Sequence, residues 1–483
     1  MAIAVASGCP PLAGIITSIG GGLLTGFLGG AKFSIKGAPA GLIVIVLAAV
    51  NEFANTGDAA AGYRAAIAIG AVAGMIQVLI GAFKLGKLID YIPAAVVHGM
   101  ISAIGFIVIA KQIYTLLGIQ AGSGSPLELL IQVFGKLTSA NPIIASIGII
   151  SVTIMMLSLL PQLKHVFKVP GALLVLVFAI AASWLLDISN AHTYQVFGNE
   201  YPLAPKSLIH LPESLIHGIV TPDWSALKNV ASIQYIFLFA VIGSIESLLT
   251  VKALNKAKPA NEQMDLNKDL VSLGIANTLV SLVGGIPMIS EIGRSKANID
   301  LGARNSWSNF THGALLLLAI CFFAGILDLV PLTALAGILV VIGYRLLSVP
   351  EWKHAWHLGW QTFAVYFTTF LLTITVDLLA GVMCGFVLYL VFEGIKCSSV
   401  KRIFWPNYEI HEKDEHSVIS CSHKLIYTNF PHVKKITERQ LVKSKSVLID
   451  CIKCTHIEKE FVDELETFIQ SNTQSNIQFL RGA

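Results

Sequence analysis

Charge is what this 483-residue sequence has least of: Asp, Glu, Lys and Arg make up only 13% of it, against roughly 25% in soluble domains. Composition therefore excludes an ordinary soluble globular protein. A net charge of +4 is too small to argue for nucleic acid as a partner. The seven cysteines lack the spacing of a disulfide framework, and Cys321 and Cys384 lie in apolar segments, where they read as small hydrophobes. No basic n-region precedes the first apolar stretch, so a cleavable signal peptide is not expected. No nucleophile–base or metal constellation stands out, which argues against an enzyme.

What fills the chain is apolar residues, 54% of the total, arranged in stretches close to the roughly 20 residues that cross a bilayer. Clear examples are Ala65–Phe83, Ile143–Leu160, Pro170–Leu186, Gly313–Leu329 and Phe363–Val376. Further spans are expected near Pro11–Gly29, Pro93–Ala110, Ile233–Val251, Leu266–Leu282, Leu332–Tyr344 and Leu378–Phe392. Met1 falls inside a span already under way, so the first span is expected to be incomplete. A polar stretch from Asp187 to Asn229 reads as a long outer loop and divides a transmembrane domain, 1–396, into halves of about 1–187 and 231–393. After Cys397 the chain turns charged and His-rich, and 397–483 reads as a small separate domain. With that tail in the cytoplasm, Arg64, Lys111, Lys136, Lys206 and Lys228 fall on outer loops. Most other basic residues, among them Lys32, Lys84, Lys252, Lys296 and Arg345, fall on inner ones, as the positive-inside rule requires. The expected location is the cell (inner) membrane, crossed many times, with a cytoplasmic C-terminal domain.

Two segments break the apolar pattern at matching places in the two halves. They are "AKFSIKGAPAGLIVIV", Ala31–Val46, and "GGIPMISEIGRSKANI", Gly284–Ile299. Each reads as a short extended piece, then a region of Gly and Pro, then a helix too short to span. Irregular backbone at membrane depth survives only where protein or a wet cavity satisfies it, and paired broken helices point to a transporter binding site. Their N-termini carry free N–H groups and the positive end of the helix dipole, which suit an anion. Glu246, in "GSIESLLT", is an intramembrane carboxylate and functional by default. The alternative is a structural carboxylate bonded to a half-helix. Thr250 lies four residues on, on the same helix face.

Four stretches together resemble the sulfate permease family of inorganic anion transporters and exchangers: "ASGCPPLAGIITSIGGGLLTGFLGG", "FSIKGAPAGL", "IGSIESLLTVKALNK" and "GGIPMISEIGRSKANIDLGARN". In the tail, "SVLIDCIKCTHIEKEFVDELETF" is similar to a sulfate-transporter/anti-sigma-antagonist (STAS) domain. The resemblance implies an α-helical polytopic membrane protein with two inverted seven-span repeats, two half-helices and a small α/β STAS-like domain, assembled as a homodimer in the lipid bilayer. It implies secondary active transport of a small inorganic anion, bicarbonate or sulfate, by alternating access, without a cofactor. Carried over by position, Ser34, Lys36, Gly37 and Ala38 face Ser290, Glu291 and Arg294 around the anion, with backbone N–H groups counting for more than side chains on the first half-helix. Glu246 and Thr250 form the coupling-ion site, for Na⁺ or H⁺.

Two departures from the family pattern matter. Glycine is followed by Ala38 before Pro39, where the family has glycine then proline. Glu291 stands where many members carry a small residue. It can cap the half-helix, pair with Arg294 three residues on, or titrate. If charged and facing the cavity, it opposes a dianion more than a monoanion, which favours bicarbonate. In the tail, Cys421, His423, Cys451, Cys454 and His456 suggest zinc by spacing, yet "SVLIDCIKC" reads as a strand whose alternate residues face opposite ways. The phosphorylated serine of anti-sigma relatives is missing from "EKEF", and the domain ends early, just after "NIQFLRGA". A nucleobase transporter of similar architecture, using Glu246 and Glu291, is the rival reading. A non-transporting sensor acting through the tail is another.

Overall fold

The structure, a computed structural model, describes residues 1–481 except 55–57, 121–123, 161–168, 197–198, 212–217, 257–262, 301, 348, 398–402, 414–415, 442, 445 and 472–475. The chain divides into two compact units. The first comprises Met1–Gly86, Ile101–Val251 and Asp265–Ser348, and the second Lys87–Met100, Lys252–Met264 and Val349–Ala483.

Helices follow the apolar runs. In chain order they are α1 (Ala2–Ala6), α2 (Pro11–Leu28), α3 (Ile43–Phe53), α4 (Ala59–Ala82), α5 (Ala94–Leu117), α6 (Pro126–Lys136), α7 (Pro142–Leu159) and α8 (Gly171–Leu185). Then come α9 (Val230–Lys256), α10 (Leu266–Leu282), α11 (Ile292–Asp300), α12 (Trp307–Leu327), α13 (Leu332–Leu347), α14 (Val349–Leu358), α15 (Trp360–Thr375) and α16 (Leu378–Cys397). Among the described residues, 8 helices are long and apolar enough to cross a membrane. The protein is a multi-pass membrane protein. Two very short strands, β1 (Lys36–Gly37) and β4 (Ile289–Ser290), lie in the two interrupted segments.

The stretch expected as a plain outer loop carries a hairpin, β2 (His192–Val196) with β3 (Asn199–Leu203). Alternating Tyr and Val residues support it, and Tyr194 stacks on Tyr201 with ring centres 5.8 Å apart. Helix α6 also lies outside the expected spans. Its start is written as a capping box: the Ser125 hydroxyl accepts the Glu128 N–H, and the Glu128 carboxylate accepts the Ser125 N–H at 3.1 Å.

Small residues hold the first unit together, because between apolar helices close backbone approach replaces the hydrophobic drive available in water. Helices α4 and α10 meet at Gly74 and Gly274, where a Cβ on Gly274 would stand 2.6 Å from the Gly74 carbonyl oxygen. Helices α2 and α12 meet at Gly22 and Gly313, where a Cβ on Gly22 would stand 2.5 Å from the Gly313 Cα. Buried polar groups pair across the same seams. Asn277 donates to the Gln77 side chain at 2.8 Å and accepts the Met288 N–H at 2.7 Å. Thr17 accepts the Ile286 N–H at 2.9 Å. These bonds hold the backbone just ahead of β4 where no helix or sheet would satisfy it.

The second unit contains α14 to α16 and a small α/β module. Strands β5 (Asn407–Lys413), β6 (His416–Leu425), β7 (Ser446–Cys451), β8 (Cys454–Ile457) and β9 (Asn476–Arg481) form one sheet in the order β5-β6-β7-β9. β5 is antiparallel to β6 and the other pairings are parallel, with β8 taking over from β7 along β6. Helices Phe430–Leu441 and Lys459–Ser471 pack on it through Phe430, Val433, Phe461 and Leu465 against Ile419, Val447 and Ile449.

Substituting Gly274→Val should destabilise the first unit by about 1–3 kcal/mol through overpacking, lowering the melting temperature of the detergent-solubilised protein. Gly135→Ala, on open surface of α6, should leave it unchanged or slightly raised.

Candidate functional site

The two interrupted segments meet. β1 and β4 pair antiparallel, Lys36 opposite Ser290 and Gly37 opposite Ile289. Each strand is short because proline breaks the pattern close by, Pro39 after β1 and Pro287 before β4, and neither can donate to a ladder. Gly284 turns the chain into the second crossing segment with φ +94, a conformation side chains rarely adopt, and its carbonyl accepts the Tyr63 hydroxyl. The pairing extends beyond the strands: the Glu291 N–H donates to the Ile35 carbonyl at 2.9 Å, and the Ser295 hydroxyl accepts the Ile35 N–H at 2.9 Å. From this crossing a short 3-10 turn, Ala40–Leu42, leads into α3, and Ile292 begins α11. Two helix starts therefore issue from one small sheet.

A buried ion pair locks the crossing. Lys36 Nζ donates to Asp269 Oδ1 at 2.6 Å, with both side chains 1% exposed. Asp269, in the first turn of α10, also accepts the Ala31 N–H at 2.9 Å and the Ser290 hydroxyl at 3.3 Å. Ser290 in turn accepts from the Ser247 hydroxyl at 2.9 Å, and Ser247 accepts the Ser290 N–H at 3.2 Å. The network ties β1, β4, α9 and α10 into one rigid piece. Lys36 thus has its charge neutralised by Asp269 and is not free to meet an anion.

The remaining side chains of interest surround this piece. The Arg294 guanidinium lies over Gly37: a Cβ there would stand 2.6 Å from Arg294 Nη1 and 3.3 Å from the Ser18 hydroxyl. Arg294 stays accessible to solvent, so it presents a cation at the meeting point of the two half-helices. Ser34 and Ala38, on either side of β1, are buried, and among the described residues the Ser34 hydroxyl has no hydrogen-bond partner. On α9, residues Gly243, Glu246, Ser247 and Thr250 share one face by their three- and four-residue spacing. Glu246 sits on Gly41, whose Cβ would stand 2.2 Å from one carboxylate oxygen and 2.3 Å from the other. Glu246 is 8% exposed, and among the described residues its Oε1 lacks a hydrogen-bond partner. A carboxylate there faces the start of the first half-helix, where the dipole favours it. Thr250, equally buried, lies one turn along.

No ion pair joins Glu291 and Arg294 among the described residues; the guanidinium lies over Gly37. Asp269, Ser247, Ser18 and Gly41 join the site through tertiary packing without standing out in the sequence. For Asp269 a signal existed: a lysine inside "FSIKGAPAGL" needs a buried carboxylate, and "MDLNKDLVSL" opens a helix that offers one.

Helix starts paired through a small sheet, within a bundle of membrane-length helices, mark the kind of binding site transporters use. The chain belongs to the sulfate permease family, which matches residues 1–369. It is similar to YvdB of Bacillus subtilis (strain 168), provisionally named a sulfate transporter, at 29% identity over 87% of this chain and 74% of that one. It is 24% identical to the bicarbonate transporter BicA of Picosynechococcus sp., over 80% of this chain and 65% of that one. Among solved structures, the transmembrane domain of a cyanobacterial BicA matches with TM-score 0.65 and 24% identity, covering 79% of this chain and 92% of that one. The structure of SLC26A9 matches with TM-score 0.69 and 16% identity, over 100% of this chain and 81% of that one. These likenesses show the fold.

Lys36→Met alone should destabilise the protein by about 3–5 kcal/mol, because it strands a buried Asp269. Lys36→Met with Asp269→Leu should recover most of that loss, read as melting temperature in detergent.

Proposed function

We propose that this transporter carries bicarbonate across the membrane by alternating access, together with Na⁺ or H⁺, the anion held between the starts of α3 and α11. The observation that carries the reading is the Arg294 guanidinium lying over Gly37 where the two half-helices meet. In this reading the anion meets the Arg294 cation and the free N–H groups in the first turn of α11, the Glu291 N–H itself being taken by Ile35. Charge balance favours a monoanion. Lys36 and Asp269 neutralise each other, leaving Arg294 as the cation and Glu291 as an unpaired carboxylate beside it. A dianion such as sulfate would meet more repulsion there than bicarbonate.

Glu246 serves as the coupling group in this scheme. Its unpartnered oxygen accepts a proton or ligates Na⁺, with the Thr250 hydroxyl one turn away as a second hard oxygen donor. Binding either cation neutralises the carboxylate against Gly41 and leaves the half-helix dipole free for the anion. The two substrates then help each other bind, which is the linkage that symport requires. STAS-like strands and helices follow the spans, and we assign them to the cytoplasmic side from the distribution of basic residues, with a homodimer as the expected assembly.

Radiolabelled uptake into proteoliposomes tests this directly. A Na⁺ or H⁺ gradient should drive bicarbonate accumulation and sulfate far less. Arg294→Gln should reduce that uptake roughly tenfold to a hundredfold, the range expected for a lost charge-assisted contact of about 1.5–3 kcal/mol. Glu246→Gln should abolish stimulation by the cation gradient while the protein stays folded. Equal uptake by wild type and Arg294→Gln would overturn the assignment of the site, and accumulation of uracil in place of either anion would overturn the substrate class.

A further inference from the structure

The α/β module holds a cluster of thiols that anion transport does not use. Cys421 on β6 and Cys451 at the end of β7 are 1% and 0% exposed, while Cys454, opening β8, is half-buried. Cys421 and Cys451 belong to one buried cluster, and Cys454 packs against it. Cys454 Sγ is 3.4 Å from the Cys421 carbonyl oxygen. A two-residue turn, Ile452 and Lys453, separates Cys451 from Cys454, fixed by the Ile452 N–H donating to the Asp450 carboxylate at 2.9 Å. Such a turn keeps its end residues within about 7 Å, Cα to Cα, close to the separation a disulfide bridges. Exposed Ile452 at its tip, 60% accessible, opens this edge to solutes.

We propose that Cys454 is a hydroperoxide-reactive thiol that closes a reversible disulfide with Cys451. The Cys454 thiolate attacks the peroxide; the O–O bond breaks, an S–O bond forms, and the departing alkoxide or hydroxide takes up a proton. Cys451 then loses its proton and attacks the Cys454 sulfur. The S–S bond forms as the S–O bond breaks, and the hydroxide leaves as water. Two thiols and one hydroperoxide thus give a disulfide, water and an alcohol, or a second water when the oxidant is hydrogen peroxide.

The environment separates the two roles. A hydrogen bond from Cys451 holds the Cys454 thiol below the ordinary thiol range, although burial and Asp450 oppose it. Its contacts with Cys421 and Cys454, together with burial, push Cys451 up. The half-exposed sulfur is therefore the nucleophile and the buried one resolves, since thiolate character and access together set reactivity. Zinc would need a third convergent ligand, and among the described residues no group of three His, Cys, Asp or Glu is placed to hold a metal. In the reducing compartment expected for the tail, such a bond is transient and regulatory.

The test uses the full chain in detergent, treated with hydrogen peroxide, blocked with N-ethylmaleimide and digested with trypsin without reductant. Cleavage after Lys453 separates the two cysteines, so a disulfide leaves peptides 446–453 and 454–459 joined. The joined pair should appear with peroxide and vanish with dithiothreitol. Cys454→Ser should abolish it and protect Cys451 from oxidation, and Cys451→Ser should let dimedone trap a sulfenic acid at Cys454. A joined pair of equal yield between Cys421 and Cys451, or Cys454 oxidised to sulfonic acid with no joined pair in the wild-type protein, would overturn the proposal. So would stoichiometric zinc on the untreated protein, released by either substitution.

Discussion

Everything at the crossing of the two interrupted segments depends on one buried ion pair, Lys36 with Asp269 at 2.6 Å. Two charges taken into a protein interior must satisfy each other and their remaining bonding capacity, or the site unfolds around them. Here they do so with help from the Ala31 N–H and the Ser290 hydroxyl. Because Lys36 belongs to β1, Ser290 to β4 and Asp269 to α10, the pair fixes the register in which Gly37 meets Ile289. That register brings Arg294 over Gly37 and Glu246 against Gly41. A loose crossing would leave both helix starts without an aim.

The pair also sets the charge left for function. With Lys36 neutralised, the crossing offers an anion one guanidinium, two helix starts and a nearby unpaired carboxylate. On the proposal made above, that modest positive field would suit a monoanion that must also leave on the other side. Glycines 37 and 41 matter here for what they lack: a side chain at either would occupy the space of the guanidinium or the carboxylate. The glycine-rich seams at Gly74/Gly274 and Gly22/Gly313 do for the scaffold what these two do for the site.

Much of this was legible in the sequence, and the reasons differ by level. Apolar runs of bilayer length announced the helices, and Gly and Pro in two matching segments announced the half-helices. Arg294 and Glu246 stood out because a charge in an apolar chain needs a reason. The buried lysine of β1 calls for a carboxylate and the start of α10 offers one, but with 233 residues between them no local pattern joins the two. Ser247 looked like one more small residue on α9 until β4 arrived beside it. The capping box at Ser125 and the alternation behind β2 and β3 are local signals, readable in principle, inside stretches whose polar composition otherwise reads as loop. For Glu291 the spacing to Arg294 suggested a pair, but the guanidinium is drawn to Gly37, a choice that only the tertiary packing reveals.

The most direct measurement is the rise in melting temperature that bicarbonate produces in the purified protein, compared between wild type and Arg294→Gln. A ligand that binds only the folded state raises stability as its concentration exceeds its dissociation constant. If the anion sits between the half-helices, bicarbonate should raise the wild-type midpoint and leave Arg294→Gln unmoved, with the two proteins melting alike in its absence. An equal rise in both proteins would place the anion elsewhere and contradict the account.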